Sequence, residues 1–269
     1  MSICAFPSIP SNANISLSMK KAALSLFTLM LAVCVSFAGK DILELKGANG
    51  PGYGKTIVLV SGDEEYRTEE SMPMLAKILS QKHGFHCKVL FAWEKEGKYI
   101  DPNNQAGVRG WEHLDSADLM LTGTRFRRPS EADAKHITKF LDAGKPVIGI
   151  RTATHAFTGG GSFGSKISYG SFGPLVMGDG WVSHHGGHKK QGARGVIEKT
   201  NAKHPILKGV KDVFGPSDVY GIRKVTPKRD TILLHGAVTE TLDPKSKNIE
   251  GSKNDPMQAL AWLHPYESS

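Results

Sequence analysis

Between Lys55 and Arg151, short apolar runs rich in β-branched residues alternate with amphipathic stretches of helical period. A chain so patterned can bury those runs only as a mainly parallel sheet with helices against its faces. Lys55-Thr-Ile-Val-Leu-Val-Ser-Gly62 is the first predicted strand, His86 to Trp93 the second, Ala117 to Gly123 the third and Pro146 to Arg151 the fourth. A helix is expected over Ser71 to Gly84, with Pro73 near its first turn, Leu75, Ile78 and Leu79 as its apolar stripe and Gly84 as its stop. A second is expected over Ser130 to Gly144, where Ser130 and Asp133 form a capping-box pair, Ile137, Phe140 and Leu141 form the stripe and Gly144 ends it. The fold class is therefore α/β, flavodoxin-like, with a parallel sheet and helices on both faces. Beyond Phe157 the pattern gives way to Gly159-Gly-Gly161 and a His-rich stretch, and strands resume near Ala193–Val196, Asp218–Ile222 and Thr231–Ala237. That region reads as an insertion or lid.

The N-terminus is laid out as a signal peptide. Residues 1–18 carry no charge, Met19 opens a Met-Lys-Lys run, Ala22 to Ala38 is mostly apolar, and Ser36-Phe37-Ala38 supplies small residues at −3 and −1 of a cleavage site. Met19 is the expected start and cleavage is expected after Ala38, with lipid attachment at Cys34 ranking lower because Val33 is bulky. Residues 39–54 are then a linker and residues 55–269 the domain. The expected product is exported, periplasmic or secreted, with no stable membrane span. Cleavage removes two Lys, leaving 32 basic against 26 acidic residues. The excess is mild and no run of five like charges occurs, so nucleic acid is not an expected partner. Cleavage also removes Cys4 and Cys34, leaving Cys87 in a predicted buried strand without a disulfide partner.

In open parallel sheets, ligands bind beyond the carboxyl ends of the strands. Strand one exits into Asp63-Glu64-Glu65-Tyr66-Arg67, strand three into Thr124-Arg125-Phe126-Arg127-Arg128 and strand four into Arg151-Thr152-Ala153-Thr154-His155. These loops would bring carboxylates, guanidiniums and an imidazole to one edge. A second constellation, Trp181-Val-Ser-His-His-Gly-Gly-His-Lys189, holds His184, His185 and His188 within five residues. His184 and His188 are candidate ligands for a divalent metal such as zinc, with a third ligand from a carboxylate or from His155. The same imidazoles could equally contact a sugar or phosphate, or lie exposed. Gly50-Pro-Gly-Tyr-Gly-Lys-Thr56 precedes strand one and lacks P-loop spacing, so nucleotide binding is not expected.

Taken together, Val58–Arg67, Ala117–Arg127, Gly149–Phe157, His184–Lys189, His204–Gly209 and Pro216–Gly221 resemble the ThuA-like (trehalose-utilisation) family, over roughly Lys55 to Ala261. The resemblance implies a class I glutamine amidotransferase-like fold and a role in carbohydrate catabolism beside a sugar oxidoreductase working through 3-keto sugars. True amidotransferases carry a nucleophilic Cys on the turn after the fourth strand, where this chain has Arg151. With Cys87 in strand two, glutaminase chemistry is excluded. A Thr152 or Thr154 hydroxyl with His155 as base is a weaker option, since neither lies in a G-x-S-x-G elbow. Similar chains continue past Trp262 into a Gly-containing strand and a final helix, so either the C-terminal elements are truncated here or a sheet edge is missing, and an exposed parallel strand would be an aggregation liability.

The resulting expectation is a sugar-acting protein in which Glu65 or His155 is the general acid or base and Arg125 and Arg151 hold hydroxyl or oxyanion groups. Asp63, Tyr66, Arg127, Thr152, His185, Asp218 and Tyr220 are expected substrate-binding residues. The alternative is a non-catalytic carbohydrate-binding or accessory subunit on the same scaffold.

Overall fold

A computed structural model describes residues 41–267, so the signal-peptide reading lies outside the described residues. A five-stranded sheet is built from β1 (Ile42–Leu45), β2 (Thr56–Gly62), β3 (His86–Leu90), β4 (Leu119–Thr124) and β5 (Val147–Gly149). Its order is β1-β3-β2-β4-β5, with β1 antiparallel to β3 and the other pairs parallel. Alternate residues of β2 serve two cores: Val58 and Val60 face one, Ile57 and Leu59 the other. Helix α1 (Thr68–His83) covers the second core through Met72 and Ala76. Helix α2 (Glu131–Asp142) covers the first through Ala134, Ile137, Phe140 and Leu141. The molecule is thus mixed α/β, with a mostly parallel sheet flanked by helices on both faces.

The stripe and the capping box expected of α2 are both present, and Gly144 takes the left-handed conformation just beyond its end. Helix α1 differs from expectation. It begins at Thr68, three residues early, because the Thr68 hydroxyl accepts the N–H groups of Gly62 and Asp63 and so ties the helix start to the end of β2. Its buried line is Met72, Ala76 and Ser80, flanked by partly buried Leu75 and Leu79, while Ile78 is exposed. Gly123 allows this packing, since a Cβ there would lie 2.4 Å from Met72 Cε. The stretch read as a linker contributes β1, whose Ile42 and Leu45 are both buried.

Beyond Phe157, a small hairpin, β6 (Ser162–Phe163) with β7 (Ile167–Ser168), lays Phe163 against Phe157 and Phe172 on the first core. The remainder forms a separate antiparallel sheet from β8 (Ala193–Ile197), β9 (Phe214–Gly215), β10 (Thr231–Val238) and β11 (Gln258–Leu263), in the order β11-β10-β8-β9. The region is therefore more than a lid, because it has its own sheet and two small cores. Asp218–Ile222 is not a strand: it makes only an isolated bridge between Tyr220 and His184. Among the described residues, no helix is long and apolar enough to cross a membrane.

A cleft of about 630 Å³ separates β5 from β11. Ile148 and Ile150 are exposed at this edge of the five-stranded sheet.

Candidate functional site

The loops that leave β2, β4 and β5 are laced together by buried hydrogen bonds. Asp63, fully buried, accepts the backbone N–H of Glu65 at 2.8 Å and of Tyr66 at 3.2 Å through Oδ1, and the Thr152 hydroxyl through Oδ2. Burial raises the Asp63 carboxyl above its ordinary value, against the hydrogen bonds that favour the charged form. From the β4 loop, Arg125 N donates to Gly62 O at 2.9 Å, Phe126 N to His155 O at 3.0 Å and Arg127 N to Ala156 O at 2.7 Å. Phe126 and Arg151 both sit at positive φ, 53° and 51°, a conformation that costs a non-Gly residue energy and clusters at functional sites.

This lacing separates the charged residues into two sets. Arg127 is 1% exposed and spends its guanidinium on the carbonyls of Arg125, Pro102 and Asn104 and on Glu64 Oε2 at 2.9 Å. Asp63, Thr152 and Arg127, expected to touch substrate, are instead buried braces beneath the loops. Their polar groups are consumed by the protein because only that holds three loops in register. Glu64 is the anion between Arg125 and Arg127, a role visible only once the loops are brought together. Glu65 lies above, 3.5 Å from Arg125 Nε and 3.1 Å from His188 Nε2.

The second half of the molecule supplies the other wall. Asp218, buried, accepts from His184 Nδ1 at 2.8 Å, from His188 Nδ1 at 3.2 Å and from Arg151 Nη2 at 3.0 Å. Burial alone would raise its carboxyl, but His184, Arg151 and His188 together hold it below the usual carboxylate range. Arg151 also donates to the Asp218 carbonyl at 2.5 Å and to Tyr66 Oη at 2.8 Å. Its guanidinium carbon lies 3.6 Å from the Tyr220 ring centre and 4.9 Å from that of Tyr66. Burial pushes the Tyr220 hydroxyl upward, so it stays protonated. His185 turns away and bonds the Lys253 carbonyl at 2.7 Å. Asp218, expected to meet substrate, is the residue that gathers the two imidazoles.

His184, His188 and Asp218 each place a ligand-type atom within 4.8 Å of the others, close enough for one divalent cation. His155 stands beside this group with its ring 5.0 Å from Phe126 and 6.2 Å from Tyr220. Burial, then the guanidiniums of Arg125 and Arg151, depress it to about 4, so it is a neutral imidazole at pH 7. Cys87 is far less reactive than a nucleophile requires: it is buried in β3, and burial pushes its thiol up to about 12.

Comparison of the chain with protein families, with curated proteins and with solved structures finds no match.

Proposed function

We propose that the protein is a ThuA-like carbohydrate-acting enzyme, exported from the cell, with a flavodoxin-like core of the class I glutamine amidotransferase type. The observation that carries this reading is the convergence of Glu65, Arg125, Arg151, His155, His184, His188 and Asp218 where the parallel strands end. The strand order supports the fold: counted without β1, it runs second, first, third, fourth, and the site lies at the switch between β2 and β4.

The reaction is proton transfer next to the carbonyl of a keto sugar. Glu65 takes the proton from the carbon beside the carbonyl. The C–H electron pair becomes the C=C bond of the enediolate as the carbonyl π pair moves onto oxygen, and return of the proton to carbon restores the carbonyl and completes the exchange. Arg125, beside Glu65, and Arg151, beside Asp218, lend positive charge next to that oxygen while staying paired with their carboxylates. Neutral His155 serves as an uncharged hydrogen-bonding partner. His184, His188 and Asp218 would hold a divalent cation, which supplies Lewis-acid polarisation when bound. A sugar oxidoreductase that makes or consumes the keto sugar is the implied functional partner.

The test is deuterium uptake from D₂O beside the carbonyl of 3-ketoglucose, followed by NMR. The purified protein should accelerate it, and Glu65→Gln and Arg151→Ala should each lower the rate about a hundredfold or more. No acceleration by the wild-type protein would overturn the catalytic reading. Binding of the sugar without exchange would move the protein to the non-catalytic class.

A further inference from the structure

Trp181 keeps 44% of its surface exposed, although an indole is among the side chains with most to gain from burial. It stands at the site. Its ring centre is 5.8 Å from that of His155, His155 is 5.0 Å from Phe126, and the Arg125 guanidinium lies 4.7 Å over Phe126. From Arg125 the contacts run on to Glu65 at 3.5 Å, to His188 at 3.1 Å, to His184 with ring centres 4.1 Å apart, and back to Trp181 at 5.8 Å. The circuit closes. One arc is aromatic, formed by Trp181, His155 and Phe126, and the other carries ionised and hydrogen-bonding groups.

The charges on the polar arc are already balanced. Arg125 is paired with Glu64 and Glu65, Arg127 with Glu64, and Arg151 with Asp218. A phosphate or carboxylate entering here would have to displace a protein carboxylate from its guanidinium. A hydroxyl is both donor and acceptor and can join such pairs without breaking them.

We propose that Trp181 is the stacking platform of this site and that it selects a neutral, unphosphorylated pyranose. The ring's C–H face lies on the indole and its hydroxyl edge meets the Glu65, His184 and His188 arc. This rests on the carbohydrate reading above and adds to it the residue that orients the sugar and the charge state of the ligand. A flat aromatic ligand would leave the polar arc unused, and a sugar phosphate would meet no unpaired guanidinium.

The experiment uses the full chain and four probes: methyl β-D-glucopyranoside, trehalose, glucose 6-phosphate and glucuronate. Binding is followed by calorimetry and by the Trp181 indole N–H resonance in ¹⁵N-Trp-labelled protein. The neutral glucosides should bind and move that resonance, with the two anions weaker by about tenfold or more. Trp181→Ala should lose about tenfold in affinity and Trp181→Phe less than about threefold, while Trp181→Leu should behave like the alanine variant, since apolar bulk without a π face does not stack. Near-UV circular dichroism checks that each variant is folded. Glucoside binding unchanged in Trp181→Ala would overturn the platform and leave the carbohydrate reading standing. Tighter binding of the anions would overturn the charge argument. No binding of any of the four probes by the wild-type protein would overturn the platform, while the keto-sugar reading stands or falls by the deuterium-exchange test.

Discussion

The polar residues at the ends of the parallel strands and those carried by loops of the antiparallel half meet in one site, but they are secured in opposite ways. On the parallel side, Asp63, Thr152 and Arg127 are buried, and they hold the loops together through several hydrogen bonds. On the antiparallel side, His184 and His188 have 33% and 31% of their side chains exposed and hang from the single carboxylate of Asp218, with Glu65 as a second tie for His188. A buried charge stripped of its partner costs several kcal/mol, whereas a part-exposed ion pair contributes little. The parallel side should therefore register in folding, and the antiparallel side in what the site binds.

The sharpest way to break this contrast is Arg127→Met, which keeps volume but leaves three carbonyls and one face of Glu64 without their donor. We expect a loss of ~3–5 kcal/mol in urea-denaturation free energy. A loss under ~1 kcal/mol would place Arg127 among ordinary surface pairs, and the distinction between the two sides would fail.

His155 joins the sides, since its ring lies against Phe126 from one and against Trp181 and Tyr220 from the other. Burial and two guanidiniums hold it at about 4 in the folded chain, below the ~6.5 of an unfolded His. Between those values the unfolded state binds more protons, so stability is full above pH ~6.5 and falls as the pH drops toward 4. Discounted for its partial exposure, this contribution is on the order of 1–2 kcal/mol between pH 7.5 and pH 4.5. Denaturation at both pH values should show the wild type losing more on acidification than His155→Phe. Equal losses would mean that the imidazole titrates freely and that the seam between the sides is open to water.

The parallel half was largely legible in sequence because its signals are local. β-branched runs mark buried strands, and Ser130, Asp133 and Gly144 mark the ends of α2. The start of α1 was not legible, because Thr68 is fixed by the ends of β2, a contact with no pattern of its own. The antiparallel sheet was partly hidden because β9 is two residues long and the segment before β10 carries the site as a loop. Within the site, sequence brought the right loops to one edge but could not rank their members. Arg125 and Arg127 are two residues apart and look alike, yet one borders Glu65 and the other is sealed beneath. Asp218 is 30 residues from His188, so no spacing rule links them, and only the fold makes it their common partner.

The smallest expected effect on folding sharpens the contrast most. His188→Ala removes one of three groups that bond Asp218, and Arg151 and His184 still hold that buried carboxylate. Folding free energy should drop by only ~0.5 kcal/mol. Removing one member of a three-ligand set, however, should weaken zinc binding by about a hundredfold or more, because the remaining pair cannot complete the coordination. Urea denaturation and zinc titration on the same preparation separate these quantities. Destabilisation as large as that of Arg127→Met would show that the imidazoles are as much part of the scaffold as the sealed guanidinium. A small folding effect with unchanged zinc affinity would remove His188 from the ligand set and leave it as the neighbour that holds Glu65.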